Sequence, residues 1–194
     1  DLYFRNKDNW QYLNTGRPKG KLNEYTLVEN MTLKEREYKM YLPLYDGVKN
    51  IEIGIDSSSF IIVPERNLEK PIIFYGTSIT QGGCASRPGM AHTNIINRKL
   101  DRDILNFGFS GNGRMEEPIA KLISEFDAKI YVIECMPNMN FPESITKRTI
   151  PLIDTIREKN PNTPIILVDL FKPTFSVLNN IVLEWGKGMD NALK

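Results

Sequence analysis

The sequence predicts an α/β protein, in which a doubly wound parallel sheet is preceded by a small antiparallel β module. From about residue 68 onward, near-continuous apolar segments alternate with amphipathic segments. Strands that are apolar on both faces are typical of a parallel sheet covered by helices on both sides. Before residue 66, short aromatic or β-branched segments are separated by turn residues, which favours antiparallel strands. We therefore predict a β module over 1–66 and an α/β domain over 67–194.

The predicted β module consists of short segments in which apolar and polar residues partly alternate. Its candidate strands are DLYFR, WQYLN, EYTLVEN, REYKMYLPLY and NIEIGID, and its candidate turns are TGRPKG, YDGVKN and DSSS. These strands are few for a closed sandwich. Because open strand edges invite pairing, we expect the module either to be incomplete or to pack on the domain that follows.

The α/β domain is predicted from apolar strands and the amphipathic helices between them. The strands are PIIFYG, DILNF, KIYVIEC and PIILVDLF, and the helices are MAHTNIINRKL (about 90–100), RMEEPIAKLISEF, ESITKRTIPLIDTIREK and a last one over about 175–194. The helix RMEEPIAKLISEF carries apolar residues on one face at the spacing i, i+3, i+4, i+7, namely Ile119, Leu122, Ile123 and Phe126. We expect the next helix to be interrupted near Pro151 and the crossovers between strands to be right-handed.

Composition and charge exclude several classes of function. The 194 residues include 25 Lys and Arg against 24 Asp and Glu, so nothing indicates a nucleic-acid or anionic-membrane surface. No apolar run approaches the length of a membrane span. No signal sequence stands at the start, although the chain begins with Asp1 and an upstream segment is expected to be missing.

The sequence predicts no metal site and no cofactor. His92 is the only histidine, and the two cysteines, Cys84 and Cys135, lack the spacing of a zinc site. These cysteines could form one disulfide if the fold brings them together, but two buried free thiols are the simpler expectation.

Three polar turns follow the first three strands of the predicted sheet. They are Gly76-Thr77-Ser78, Gly108-Phe109-Ser110-Gly111-Asn112-Gly113 and Met136-Pro137-Asn138-Met139-Asn140. In a doubly wound sheet chemistry takes place outside the carboxyl ends of the strands, so these turns lie on the functional rim. Taken singly, each also has a structural explanation. Ser78 or Thr80 suits a helix cap, whereas Gly111 and Gly113 suit turns with positive φ and Asn138 suits an Asx turn.

Together the three turns hold the groups that acyl transfer needs. A serine hydroxyl is a nucleophile, and a glycine N–H with an asparagine amide are donors for the oxyanion that develops on the carbonyl. The α/β-hydrolase elbow G-x-S-x-G does not fit, because Thr80 stands where glycine is required. A flavodoxin-like phosphate site at the first helix N-terminus is a weaker alternative, since the sequence has neither a Walker A lysine nor a dinucleotide fingerprint.

Over roughly residues 70–170 these motifs resemble those of the SGNH (GDSL-like) hydrolases. GTSIT is similar to the first motif, with Thr77 where aspartate is common, and the resemblance makes Ser78 the nucleophile and an oxyanion N–H donor. NFGFSGNGR is similar to the second motif and makes Gly111 a backbone donor. IECMPNM is similar to the third and makes Asn138 the side-chain donor, with Met139 in place of the usual aspartate. The resemblance implies a flavodoxin-like sheet.

The front segment DLYFRNKDNWQYLNTGRP resembles the end of the GxDLY module that precedes the hydrolase domain in certain bacterial members. Such members resemble carbohydrate acetylesterases and related acylhydrolases. The resemblance therefore implies a small-molecule or glycan ester as substrate and a secreted or periplasmic location for the full-length parent. The balanced charge and the short apolar runs predict no nucleic-acid or membrane partner. It leaves the oligomeric state open.

The sequence lacks an evident base for Ser78. The resemblance implies an Asp-x-x-His pair after the last strand, but His92 is the only histidine and Gly89 stands where the aspartate would be. We expect His92 to start a helix or lie on the surface. We expect the catalytic pair beyond residue 194, so that this chain is a truncated and nearly inactive hydrolase. Asp169 stands at the end of the fourth predicted strand, where it could be a helix-cap or turn residue, and an ordinary carboxylate is a weak base for serine. The alternative is a non-catalytic carbohydrate-binding protein that retains the pocket.

Overall fold

The structure is a computed structural model, and it describes residues 1–65, 67–139 and 141–169. In this part of the chain the strands are β1 (Leu2–Asn6), β2 (Asn9–Asn14), β3 (Tyr38–Met40), β4 (Ile72–Gly76), β5 (Ile104–Gly108), β6 (Ile130–Glu134) and β7 (Ile165–Leu167). The helices are α1 (Ser78–Gln81), α2 (His92–Leu100), α3 (Glu117–Ser124) and α4 (Pro142–Lys159), with short 3-10 turns at Pro88–Met90 and Met136–Asn138. None of these helices combines the length and the hydropathy needed to cross a bilayer. The helix predicted over about 175–194 lies outside the described residues.

Strands β4 to β7 form one parallel sheet in the order β5-β4-β6-β7. Every residue of the central strand β4 is buried, which explains why its sequence is apolar without alternation. On one face, α3 and α4 enclose a core that includes Ile73, Tyr75, Ile123, Tyr131, Ile133, Ile145, Leu152 and Ile156. On the other face, the His92 ring of α2 packs on Phe74 of β4, and Asn106 of β5 donates a 2.8 Å hydrogen bond to the Thr80 carbonyl of α1. Helices thus cover both faces, and the predicted doubly wound α/β fold is confirmed.

Strands β1 to β3 form a separate antiparallel sheet in the order β2-β1-β3. The small antiparallel sheet predicted for the N-terminal part is therefore confirmed. The prediction of strands at EYTLVEN and NIEIGID is wrong, because neither segment pairs with another strand among the described residues. In the second of them Ile53 is 62% exposed. Alternating apolar residues are not sufficient for a strand, since its backbone also needs a neighbour with which to exchange hydrogen bonds.

The β module packs on the α/β domain through its first residues. The Asp1 carboxylate is fully buried, lies 3.2 Å from the Arg87 guanidinium and accepts a 2.7 Å hydrogen bond from the Gly89 N–H. Arg87 also donates to the Tyr3 hydroxyl at 2.6 Å. These contacts attach β1 to the segment that leads from α1 to α2.

Helix α4 continues for 18 residues through Pro151, so the predicted interruption is wrong. Proline removes the N–H that would bond to the carbonyl four residues earlier. In α4 this loss falls on the exposed side of the helix, whereas Ile145, Leu152 and Ile156 on the other side are buried in the core. Tertiary packing of that apolar face keeps the helix continuous.

Candidate active site

Three strands of the parallel sheet end at the same level. Gly76 at the end of β4 pairs with Gly108 of β5 on one side and with Glu134 of β6 on the other. The chain runs from β4 to β5 and later to β6 on the opposite side, so the strand order reverses at β4. Ligands bind at this position in doubly wound sheets. The first turn (76–78), the second turn (108–113) and the third turn (136–139) therefore begin side by side.

In the first turn the helix cap is Thr77 and not Ser78. Thr77 has extended backbone angles, and its hydroxyl accepts a 3.1 Å hydrogen bond from the Ile79 N–H at the start of α1. Ser78 is the first residue of α1 and is half-buried. Neither its hydroxyl nor its N–H bonds to any residue that the structure describes. The cap explanation for Ser78 is thus excluded, and its hydroxyl remains available to a substrate.

The second turn lies directly on the first. The Phe109 N–H donates to the Gly76 carbonyl at 2.9 Å, and a Cβ on Gly113 would lie only 1.9 Å from the same oxygen. Gly113 is therefore required for this close approach of two backbones. Gly111 is exposed and has a φ of +72°, a left-handed conformation that favours glycine. Its N–H also lacks a hydrogen bond within the described residues.

The third turn contacts the second through Asn138. The Asn138 side-chain amide donates to the Phe109 carbonyl at 3.2 Å and to the Gly113 carbonyl at 3.4 Å. Met139, which stands where the resemblance would place aspartate, is 2% exposed and belongs to the apolar core. Methionine at this position therefore contributes to the hydrophobic core.

The structure thus connects the first turn to the second by backbone contacts and the second to the third by Asn138. A serine hydroxyl, two N–H groups and an amide lie on turns that touch one another. That arrangement is suited to an attack on a carbonyl whose developing charge needs hydrogen-bond donors. The individual roles of Ser78, Gly111 and Asn138 stay predictions.

Sequence reasoning missed Glu134, a buried carboxylate behind the first turn. Glu134 ends β6 and is 8% exposed. It accepts hydrogen bonds from the hydroxyls of Thr77 and Thr80, at 2.8 and 2.9 Å. An acidic residue at the end of the apolar strand KIYVIEC was the available signal, because a buried charge requires partners.

Sequence reasoning also missed Tyr45, by which the segment after β3 reaches the candidate site. The Tyr45 hydroxyl lies 2.8 Å from Ser110 Oγ in the second turn, and its ring occupies the space beside Gly83. Gln81 of α1 donates to the Leu44 carbonyl and accepts from the Ser110 N–H, both at 2.9 Å. The residue before Gly111 is thereby held from two sides.

If the three turns form the esterase site that the resemblance implies, Tyr45→Phe should lower the esterase activity without unfolding the protein. Losing one hydrogen bond to Ser110 removes about 0.5–1.5 kcal/mol, which corresponds to about a 2- to 10-fold fall in kcat/KM. The measurement is p-nitrophenyl acetate hydrolysis by the full-length protein. Tyr25→Phe is the matched control, because the Tyr25 hydroxyl bonds to the Arg17 carbonyl away from the site. Equal rates for Tyr45→Phe and wild type would show that Tyr45 does not order the second turn.

The His92 ring and the two cysteine thiols make no hydrogen bond to the three turns among the described residues. The His92 ring packs edge-to-face on Phe74 with centroids 5.7 Å apart. This packing withdraws part of the imidazole from water and lowers its pKa, although the residue as a whole stays exposed. Both cysteines are free thiols, and Cys84 is exposed, which corrects the expectation that both are buried. Burial raises the pKa of the Cys135 thiol to about 12, which makes it unreactive.

Within the described ranges, no three His, Cys, Asp or Glu side chains lie close enough together to hold a metal ion.

Comparison with known families decides the classification. Residues 69–187 match the family model described as GDSL-like Lipase/Acylhydrolase family. The chain belongs to the GDSL-like lipase/acylhydrolase family. Residues 1–61 match the GxDLY model, described as the N-terminus of Esterase_SGNH_hydro-type. This confirms both resemblances inferred from the motifs, while the domain boundary at residue 66 stays a prediction.

Two solved structures show how this family member compares with others. A proposed GDSL-like lipase from Bacteroides ovatus ATCC 8483 shares 36% identity and a TM-score of 0.93 over 100% of this chain. The chain spans 58% of that protein's chain. The salicylyl-acyltransferase SsfX3 from a tetracycline biosynthetic pathway shares 21% identity and a TM-score of 0.57, over 66% of this chain and 39% of its own, and shows the fold alone. No curated protein matches the chain.

Proposed function

We propose that the chain carries the nucleophile and oxyanion hole of a serine esterase that removes acetyl or other short acyl groups from a carbohydrate. The observation that supports this most strongly is that the helix cap and the candidate nucleophile are different residues of the first turn. Thr77 caps α1, and the adjacent Ser78 hydroxyl is left without a partner among the described residues, at the point where the strand order reverses. Membership of the GDSL-like family supports ester hydrolysis.

In the proposed mechanism the Ser78 hydroxyl oxygen attacks the ester carbonyl carbon. The N–H groups of Ser78 and Gly111 donate hydrogen bonds to the oxygen as it becomes negative. The Asn138 amide joins them by exchanging one of its hydrogen bonds, to the Phe109 or the Gly113 carbonyl, for one to this oxygen. Such donors are effective because they are already oriented before the charge develops. Collapse of the tetrahedral intermediate expels the alcohol, and water then hydrolyses the acyl-enzyme.

The proton of Ser78 requires a base, since a serine hydroxyl is a weak nucleophile near neutral pH. We propose that an Asp-x-x-His pair from outside residues 1–194 takes this proton, as the family resemblance implies. The position of His92 supports a base outside these residues, because its partly buried ring packs on Phe74 and has no hydrogen bond to Ser78.

The substrate class and the location are proposals that rest on the family resemblance. A glycan or small-molecule ester would fit a site whose donors are neutral amides and N–H groups. A secreted or periplasmic location for the full-length parent would give access to such glycans. Acetate release from acetylated oligosaccharides tests the substrate class. Fractionation of the source cells tests the location.

Labelling with a fluorophosphonate tests the proposed nucleophile. The full-length protein should be modified on the peptide that contains Ser78, because an activated serine oxygen attacks the phosphorus of the probe, expels fluoride and becomes phosphonylated. Ser110, on the second turn, is the internal control and should stay unmodified. Label on Ser110, or no label on the full-length protein, would contradict the proposal.

Replacing Asn138 by alanine tests the proposed oxyanion hole. Loss of one such donor lowers kcat by about 10²- to 10³-fold, and we expect KM to change little. Asn112→Ala is the matched control, since Asn112 is exposed on the second turn and its amide donates only to the Ser110 carbonyl, at 3.4 Å. Similar kcat values for the two variants would exclude Asn138 from the oxyanion hole.

One observation favours a second candidate, a carbohydrate-binding protein without catalysis. Residues 1–194 contain no histidine other than His92, which packs on Phe74. A binder would retain affinity for a glycan in calorimetry, give no acetate release, and show no fluorophosphonate labelling even in its full-length form.

A further inference from the structure

The Glu134 carboxylate lies directly behind the turn that carries Ser78. Its Oε2 atom accepts hydrogen bonds from the Thr77 N–H at 3.2 Å, the Thr77 hydroxyl at 2.8 Å and the Thr80 hydroxyl at 2.9 Å. The Thr77 N–H is shared with the Glu134 main-chain carbonyl at 3.1 Å. One oxygen atom therefore binds donors that precede and follow Ser78 in the chain.

The surroundings leave space for this carboxylate and exclude water from its partners. A Cβ on Gly76 would lie 2.3 Å from Thr80 Oγ1 and 2.9 Å from Glu134 Oε2, so any side chain at Gly76 would displace the contact. Thr77 and Thr80 are fully buried. Hydrogen bonds to a buried charged acceptor are shorter and stronger than neutral ones, and water cannot replace them if one is lost.

The Thr77 hydroxyl transmits this constraint to the helix. It donates a hydrogen bond to Glu134 and at the same time accepts one from the Ile79 N–H at 3.1 Å. The hydroxyl is thus fixed in one orientation, and the N-terminus of α1 is fixed with it. Ser78 lies in the chain between Thr77 and Thr80, which are both bonded to Glu134. The N–H and hydroxyl of Ser78 themselves bond to no residue that the structure describes.

We propose that Glu134 is a positioning residue that holds the Ser78 turn through Thr77 and Thr80, so that the serine hydroxyl and N–H meet the same carbonyl. This inference rests on the proposed role of Ser78. Catalysis is sensitive to such support, because a displacement of about 1 Å at a reacting group can cost 10²-fold in rate.

The test compares Glu134→Gln and Glu134→Asp in the full-length protein. Glutamine removes the charge, and aspartate keeps the charge but is one methylene shorter. We expect Glu134→Gln to lower the rate of fluorophosphonate labelling at Ser78 and kcat about 10- to 100-fold, with KM within about threefold. Hydrogen–deuterium exchange of the peptide 76–81 should rise, since its amides lose their anchor. Glu134→Asp should recover part of the labelling rate.

Two controls separate positioning from general stability. Glu116→Gln removes another partly buried carboxylate, which accepts from the Tyr75 hydroxyl and the Arg114 N–H and bonds to neither Thr77 nor Thr80. It should leave labelling at Ser78 unchanged. Thr80→Val should add little to the loss caused by Glu134→Gln, because the two side chains act as one unit.

Equal labelling and equal exchange for Glu134→Gln and wild type would overturn the inference, as would an equal loss in Glu116→Gln or full additivity with Thr80→Val. Failure of the proposed function has a different signature. In that case the wild-type protein is not labelled at Ser78, whereas amide exchange over 76–81 still reports whether Glu134 holds the turn.

Discussion

Ser78→Ala should lower the kcat of the full-length protein on p-nitrophenyl acetate by about 10⁴- to 10⁶-fold, the range seen when a member of a catalytic triad is removed. The physical reason is that alanine has no hydroxyl to supply the attacking oxygen. Stability should hardly change, because Thr77 provides the cap and alanine is favourable at the first position of α1. The measurements are steady-state kinetics and thermal unfolding of the same samples.

Thr77→Ala is the matched variant, and unlike Ser78→Ala it should lower the stability of the protein. It removes the cap of α1 and the hydrogen bond to Glu134. The cost is about 2 kcal/mol or more, equivalent to a fall in Tm of about 4–8 °C in a protein of this size. If Ser78→Ala instead lowers Tm and leaves kcat intact, Ser78 is a structural residue and the esterase proposal is wrong.

If the proposed Asp-x-x-His pair lies beyond residue 194, a protein that ends at Lys194 should hydrolyse the same ester at least about 10⁴-fold more slowly than a protein that includes the pair. Within residues 1–194 the sole histidine is His92, whose ring packs on Phe74. Binding and oxyanion stabilisation would remain and would still give about 10³- to 10⁴-fold catalysis over water. The comparison requires both proteins at equal concentration, with folding of each verified by circular dichroism.

His92→Gln in the full-length protein is the control for this comparison. It should retain activity within about threefold, since a residue outside the catalytic unit has only indirect effects. Comparable rates for the two lengths of protein, together with a large loss in His92→Gln, would make His92 the base. That result would move the proton acceptor to the start of α2.

The elements that could be predicted from sequence are those with a local signal. PIIFYG, DILNF and KIYVIEC are strands at Ile72–Gly76, Ile104–Gly108 and Ile130–Glu134, because a parallel strand buried on both faces is apolar throughout. NIEIGID has a comparable local signal, yet it forms no strand, because pairing depends on a partner elsewhere in the chain.

The candidate site shows the same division. The three polar turns and their order along the chain were evident from GTSIT, NFGFSGNGR and IECMPNM. The sequence left open whether Ser78 or another residue caps α1, and the structure assigns the cap to Thr77. Tyr45 was not foreseen, since its partner Ser110 lies 65 residues away. Contacts at that separation leave no periodic pattern in the sequence.

The amino-acid sequence by itself determined the α/β class, the family and the three turns that follow the strands, because each depends on residues close together in the chain. Only the tertiary structure decided which turns touch, that the Ser78 hydroxyl has no described partner, and that Glu134 supports the turn from behind. These features depend on strand order and register, which bring Gly76 between Gly108 and Glu134. Register is specified by which side chains of each strand face the buried core, and that core is built from segments far apart in the sequence.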